Sequence, residues 1–165
     1  MSTTYSYSAV IDYAISIEQE GIRLYTDAAA ELDNEPARNI LLHLAEEEKK
    51  HEKYFRKLKS GISENDERKI EFNEEILDYI KALSSREIFP EDDKPFKERF
   101  QTLEDVIQFG LQTEKDSILF YVELSHLDWD AGTKQVLESI IKEEKRHMVK
   151  LTEIRKLIET RDVYY

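Results

Sequence analysis

EEKKH at residues 47–51 and EEKRH at residues 143–147 are nearly the same phrase written twice, 96 residues apart. The same offset lays EQEGIRLY (18–25) on EKDSILFY (114–121) without a gap, so Glu18 precedes His51 by 33 residues and Glu114 precedes His147 by 33. Duplication over that distance predicts two helical hairpins of one design, related by an approximate two-fold axis.

Outward from the repeat, apolar residues recur at steps of three and four. Only four glycines and three prolines interrupt them, so the chain reads as almost wholly helical, with no convincing strand. The expected helices cover about 8–32, 36–60, 102–127 and 132–160. Asp33-Asn34-Glu35-Pro36 supplies a turn, caps and a first-turn proline, Gly61 stops the second helix, and Thr102-Leu103-Glu104-Asp105 resembles a capping box. Residues 61–101 form a crossover holding one short helical pattern (74–83) and the loop IFPEDDKPFKERF. So long a connection is expected when the second and third helices run parallel and the chain must travel the bundle's length between them. The expected fold is therefore all-α, a four-helix bundle with a long crossover, in one domain over 1–165.

Bulk composition excludes several function classes. Thirty-six acidic against 24 basic residues give a net charge of -12, which repels nucleic acid and anionic membrane surfaces. Without cysteine there can be no disulfide, zinc-thiolate site, iron–sulfur cluster or thiol nucleophile, so any metal is bound through oxygen and nitrogen. MSTTYSYS has no signal-peptide pattern and no apolar run approaches the roughly 20 residues of a membrane helix, so a cytoplasmic protein is expected.

The helical phase places the repeated phrases. The inward seam reads Ile11, Ala14 or Ile15, Glu18, Ile22, Tyr25, Ala29 on the first helix and Ala37, Leu41, Leu44, Glu48, His51, Phe55, Leu58 on the second. The second half repeats it with Ile107, Leu111, Glu114, Ile118, Tyr121 and with Leu137, Ile140, Glu144, His147, Leu151, Ile154. Six polar residues thus point into one apolar core. Four buried carboxylates cost several kcal/mol per ion unless neutralised, and two divalent cations would supply the missing charge. Histidine three residues after glutamate puts both on one helical face, and a lone glutamate from each partner helix can bridge two metals.

Spacing alone is weak, because glutamate is 24 of 165 residues and chance supplies Glu-x-x-His often. Glu123-Leu-Ser-His126 is the internal control: Glu123 lies about 180° round its helix from Glu114 and reads as solvent-facing. His43, with no glutamate at that spacing, reads as a surface or ordinary core histidine. Tyr25 and Tyr121, two turns beyond Glu18 and Glu114, are the candidate catalytic residues: a phenol there can hydrogen-bond a ligand carboxylate, relay a proton or electron, or simply pack the core. Gly21 costs about 1 kcal/mol relative to alanine and pairs with Ser117 in the repeat, leaving either a pocket for a small oxidant or close helix packing. Lys49, Lys50, Lys53, Lys57 and Lys59 read as a solvated face or as a docking surface for an acidic electron donor.

Taken together, AIxIExEGIxxY, LAEEEKKH, EKDSIxxY and EEKRH, with Ile88-Phe89-Pro90 in the crossover, make the chain from about Val10 to Ile158 resemble a rubrerythrin-like, ferritin-like di-iron carboxylate protein. The resemblance implies a ferritin-like bundle and iron ligands Glu18, Glu48, His51, Glu114, Glu144 and His147, with Glu48 and Glu114 bridging in part. Iron suits those donors, and manganese and zinc also fit. It further implies a homodimer and an oxidoreductase reducing hydrogen peroxide or dioxygen, the alternatives being a ferroxidase or iron-handling protein and a non-enzymatic metal-stabilised bundle. Two departures stand out. Rubrerythrins append a four-cysteine electron-delivery domain, and here, without cysteine, electrons are expected from an external donor protein. They also carry a carboxylate three residues after the third-helix glutamate, a position occupied here by Ser117. Only 18 residues follow His147, which argues against a fifth helix of the shell-forming kind.

Overall fold

A computed structural model describes residues 4–63, 69–71 and 94–159. Four long helices dominate: α1 (Tyr7–Ala30), α2 (Glu35–Ser60), α4 (Leu103–Ser125) and α5 (Ala131–Glu159). Between α2 and α4 the described chain adds a strand β2 (Lys69–Glu71), paired antiparallel with β1 (Thr4–Ser6), and a four-residue helix α3 (Phe96–Arg99). The expected short helix at 74–83 lies outside the described residues. No described helix is long and apolar enough to cross a membrane.

Each long helix begins where a side chain accepts from the orphan amides of its first turn. Ser6 Oγ accepts from Ala9 N, Asn34 Oδ1 from Ala37 N, and Asp130 Oδ1 from Thr133 N. Thr102 and Asp105 close a reciprocal capping box at α4, with Asp105 N donating to Thr102 Oγ1 (3.1 Å) and Thr102 N to Asp105 Oδ2 (2.8 Å). Two helices end two residues before the sequence pattern does. At α1, Glu31 caps after Ala30 and the Leu32 amide turns back to the Ala29 carbonyl, which frees Asp33 and Asn34 to start α2. At α4, the Trp129 indole N–H takes the Leu124 carbonyl (2.8 Å), so the chain turns at His126.

Cross-helix bonds fix the directions. Gln19–Glu52 and Lys59–Asp12 run α1 against α2, Arg155–Glu104 runs α4 against α5, and His51–Glu143 with His147–Glu47 runs α2 against α5. Since α2 and α4 are both antiparallel to α5, they are parallel to each other. A return of the chain over the bundle's length between Ser60 and Leu103 is therefore required. Apolar residues fill the interior in two clusters, one built on Ile11, Phe55, Phe120, Tyr121 and Leu137, the other on Tyr25, Leu41, Leu44, Ile107 and Leu151. The polar residues between these clusters form the site.

Candidate metal centre

Glu18 lies on α1, Glu48 and His51 on α2, Glu114 on α4, and Glu144 and His147 on α5, and all six are at most 3% exposed. Their donor atoms fall into two overlapping groups: Glu18, Glu48, His51 and Glu144, and Glu48, Glu114, Glu144 and His147. Glu48 and Glu144 belong to both, whereas Glu18 and Glu114 belong to one each. The sequence pattern pointed to Glu48 and Glu114 for bridging, whereas the residues common to the two groups here are Glu48 and Glu144, both from Glu-x-x-His helices. Helical phase says which face a glutamate is on, but not how far its carboxylate reaches across the core.

The histidine rings show whether a cation fits. His51 Nε2 lies 2.7 Å from Glu143 Oε2 and His147 Nε2 lies 3.1 Å from Glu47 Oε2. A carboxylate can only accept, so the ring proton belongs on Nε2 and Nδ1 presents a lone pair inward. Around His51 Nδ1 stand oxygens of Glu144 (2.9 Å), Glu48 (3.1 Å) and Glu18 (3.5 Å); around His147 Nδ1 stand Glu48 (3.1 Å), Glu144 (3.1 Å) and Glu114 (3.6 Å). Both Glu144 oxygens are buried and face only the two imidazoles and the other glutamates of the cluster. Lone pairs converging on lone pairs repel, and a divalent cation in each group removes the conflict. Hard carboxylates with imidazole suit iron, manganese or zinc.

Proton energetics repeat the pattern. Burial pushes the Glu18 and Glu114 carboxyls well above the usual range, and the charges of Glu48 and Glu144 push them further. Burial would raise Glu144 and Glu48 too, but contacts with the two histidines outweigh it and hold both low. In each imidazole burial pulls the pKa down, and the surrounding glutamates more than reverse it, so without a cation a proton takes the cation's place. The shared carboxylates are thus held low and the carboxyls of Glu18 and Glu114 high.

Two phenols complete the centre by exchange between halves: Tyr25 on α1 donates to Glu114 Oε1 on α4, and Tyr121 on α4 donates to Glu18 Oε1 on α1. Both phenols are fully buried and raised well above the usual tyrosine pKa, first by burial and then by the nearby glutamates. Each therefore stays a proton donor.

Other expected features also find their places. A Cβ on Gly21 would sit 3.3 Å from Glu48 Cγ, so its smallness admits the Glu48 side chain. Ser117 is buried with Oγ bonded to the Thr113 carbonyl (2.9 Å), turned along its own helix. His43 is half-exposed and pairs with Glu47, and His126 is exposed at the end of α4. Glu123 is half-buried and joins neither metal group. Sequence reading missed Glu47 and Glu143, because each lies about 100° from its ligand neighbour on the helix. The doubled glutamate in both copies of the repeat was the available signal.

The described geometry has relatives. A solved structure of a candidate ferritin-like diiron-carboxylate protein from Thermotoga maritima matches with a TM-score of 0.71 at 25% identity, covering 94% of this chain and 98% of that one. No curated protein matches at a significant level. The Rubrerythrin family profile matches residues 9–155, the span that carries all six clustered glutamates and histidines, and the chain belongs to the rubrerythrin family.

Proposed function

We propose that the protein is a cytoplasmic di-iron oxidoreductase that reduces hydrogen peroxide, or dioxygen, to water with electrons from an external donor protein. The observation that carries this reading is the pair of buried donor groups joined through Glu48 and Glu144. Glu18 and His51 would complete one iron site, Glu114 and His147 the other, and the bound pair would supply Lewis acidity and the two electrons that peroxide reduction needs.

The remaining work belongs to the chain's own residues. Glu47 and Glu143, with side chains 23% and 33% exposed, hold the two imidazoles in the tautomer that turns Nδ1 inward. Tyr25 and Tyr121 keep protons at Glu114 Oε1 and Glu18 Oε1, where reduction of peroxide to water consumes two. Burial of every ligand keeps bulk water out of the centre.

Stopped-flow mixing of Fe(II)-loaded protein with peroxide, and separately with dioxygen, tests the reading. Oxidation by peroxide faster than that of free iron, with water as product, is expected. Oxidation by dioxygen alone, with iron retained as a growing ferric store in a large shell on size exclusion, would replace it with an iron-handling role. Oxidation no faster than free iron leaves a metal-stabilised bundle.

A further inference from the structure

The halves match at the metal ligands and differ behind the two phenols. Tyr121 packs against Phe55 (ring centroids 5.2 Å apart) and Phe120 (5.8 Å), and Phe55 packs against Tyr54 (5.6 Å). Tyr54 is half-buried and shares the lining of a surface cavity of about 500 Å³ with Trp129. At the repeat offset, Phe55 corresponds to Leu151, Phe120 to Leu24 and Tyr54 to Lys150. Among the described residues Tyr25 makes no ring contact: the other buried members of its cluster are aliphatic, Leu24, Leu41, Leu44 and Leu151 among them, and Phe96, Phe100 and Phe109 pack on the cluster's edge and stack only on one another. Leucine meets the packing requirement in one half, so packing alone does not call for aromatic rings in the other. What rings add is a π system through which an electron moves more readily than through an aliphatic side chain.

We propose that Tyr121, Phe55 and Tyr54 form the electron route between the metal ligands and the surface, with Tyr54 as the contact point for a one-electron donor, while Tyr25 serves proton transfer alone. The proposal rests on the di-iron reading above. Tyr121 gives one electron to the oxidised metal pair and its phenolic proton shifts along the existing hydrogen bond to Glu18. Tyr54 then returns one electron to Tyr121 through the Phe55 ring. Tyr121 takes its proton back from Glu18, and Tyr54 releases its own to solvent. The external donor restores Tyr54 with one electron and solvent supplies the proton, so the net change is one electron moved from donor to metal. The second branch, from Phe120 to Tyr13 (4.8 Å), ends beside the Asp116 carboxylate rather than at a cavity with a second oxidisable ring. Tyr54 is therefore the terminus.

Phe55→Leu installs the residue that the other half uses, Tyr54→Phe keeps the ring and removes the phenol, and Phe120→Leu is the matched control on the other branch. Thermal melts of the metal-free proteins establish that each variant folds. Two readouts follow on the iron-loaded proteins. In the first, air-oxidised protein is mixed with a reduced viologen dye and reduction of the metal is timed. Phe55→Leu and Tyr54→Phe should be slowed and Phe120→Leu should match wild type. In the second, peroxide is added to Fe(II) protein without a donor and oxidised side chains are mapped by mass spectrometry, with oxidation at Tyr54 expected in wild type and lost in Phe55→Leu. Equal reduction rates in wild type and Phe55→Leu, or undiminished Tyr54 oxidation in that variant, overturn the route. If peroxide oxidises no variant, the peroxidase reading fails while the dye arm still decides the route.

Discussion

Tyr25 and Tyr121 make the same hydrogen bond from opposite sides of the buried carboxylate cluster, yet Tyr121 lies against two aromatic rings and Tyr25 against none. Ligand geometry leaves almost no latitude, since a carboxylate displaced from the centre is a buried charge without a partner. Packing behind the ligands can be met by many side chains. The two halves therefore repeat each other at the ligands and are free to diverge behind them, where one half can carry a role that the other lacks. Gly110 belongs to the divergent class: its counterpart is Ala14, and a Cβ at Gly110 would stand 3.1 Å from Leu151 Cδ1.

The largest effects should fall on the shared ligands and treat both halves alike. Glu48→Ala or Glu144→Ala should abolish binding of both metals, Glu18→Ala or Glu114→Ala should leave one, and Glu123→Ala should leave both, read as metal per chain by elemental analysis after dialysis. Unequal losses for Glu18 and Glu114 would break the symmetry claimed for the ligands. Glu47→Gln and Glu143→Gln come next, each weakening metal affinity by about 10- to 100-fold through loss of the imidazole's outer partner, measured by competition with a chelator.

Packing variants should separate the halves instead. Phe55→Ala should cost about 3–5 kcal/mol in denaturant melts of the metal-free protein, as a large buried ring leaves a cavity. Gly110→Ala should have a smaller net effect, crowding of Leu151 offset by the roughly 1 kcal/mol that alanine gains over glycine in a helix, and confined to the Tyr25 side. Smallest is Thr102→Ala, where loss of the α4 capping box costs about 1 kcal/mol in either metal state.

Proton linkage adds a test independent of either half. Glu18 and Glu114 are raised by burial and by their anionic neighbours, so without a cation they hold protons that metal binding must displace. Binding should release protons from these carboxyls and from the two imidazoles and tighten as pH rises, seen by titration calorimetry in buffers of different ionisation enthalpy. An affinity that does not change with pH would mean that neither the two carboxyls nor the two imidazoles hold a proton in the metal-free protein.

Much of this architecture was legible in the sequence, because it rests on periodicity. The seams from Ile11 to Ala29 and from Ala37 to Phe55 are read directly off steps of three and four, and the offset of 96 residues ties the two hairpins together. Contacts between helices were not legible in the same way. Glu47 meets His147, and Glu143 meets His51, only because α2 and α5 are antiparallel neighbours, a relation no single helix encodes. The sharing of Glu48 and Glu144 depends likewise on reach across the core. The β1–β2 pair and α3 span three or four residues each, too few for any period to announce them. Ser117 was noticed as a departure, but its bond to Thr113 O follows from local helix geometry.

The central claim is that one buried centre holds two metal ions joined through Glu48 and Glu144. A crystal structure of the iron-loaded protein, with anomalous scattering at the iron edge, tests it most directly. Two iron peaks per chain are predicted, both in contact with Glu48 and Glu144, one also with Glu18 and His51 and the other with Glu114 and His147. A single peak, or two peaks joined through Glu114 in place of Glu144, would contradict it.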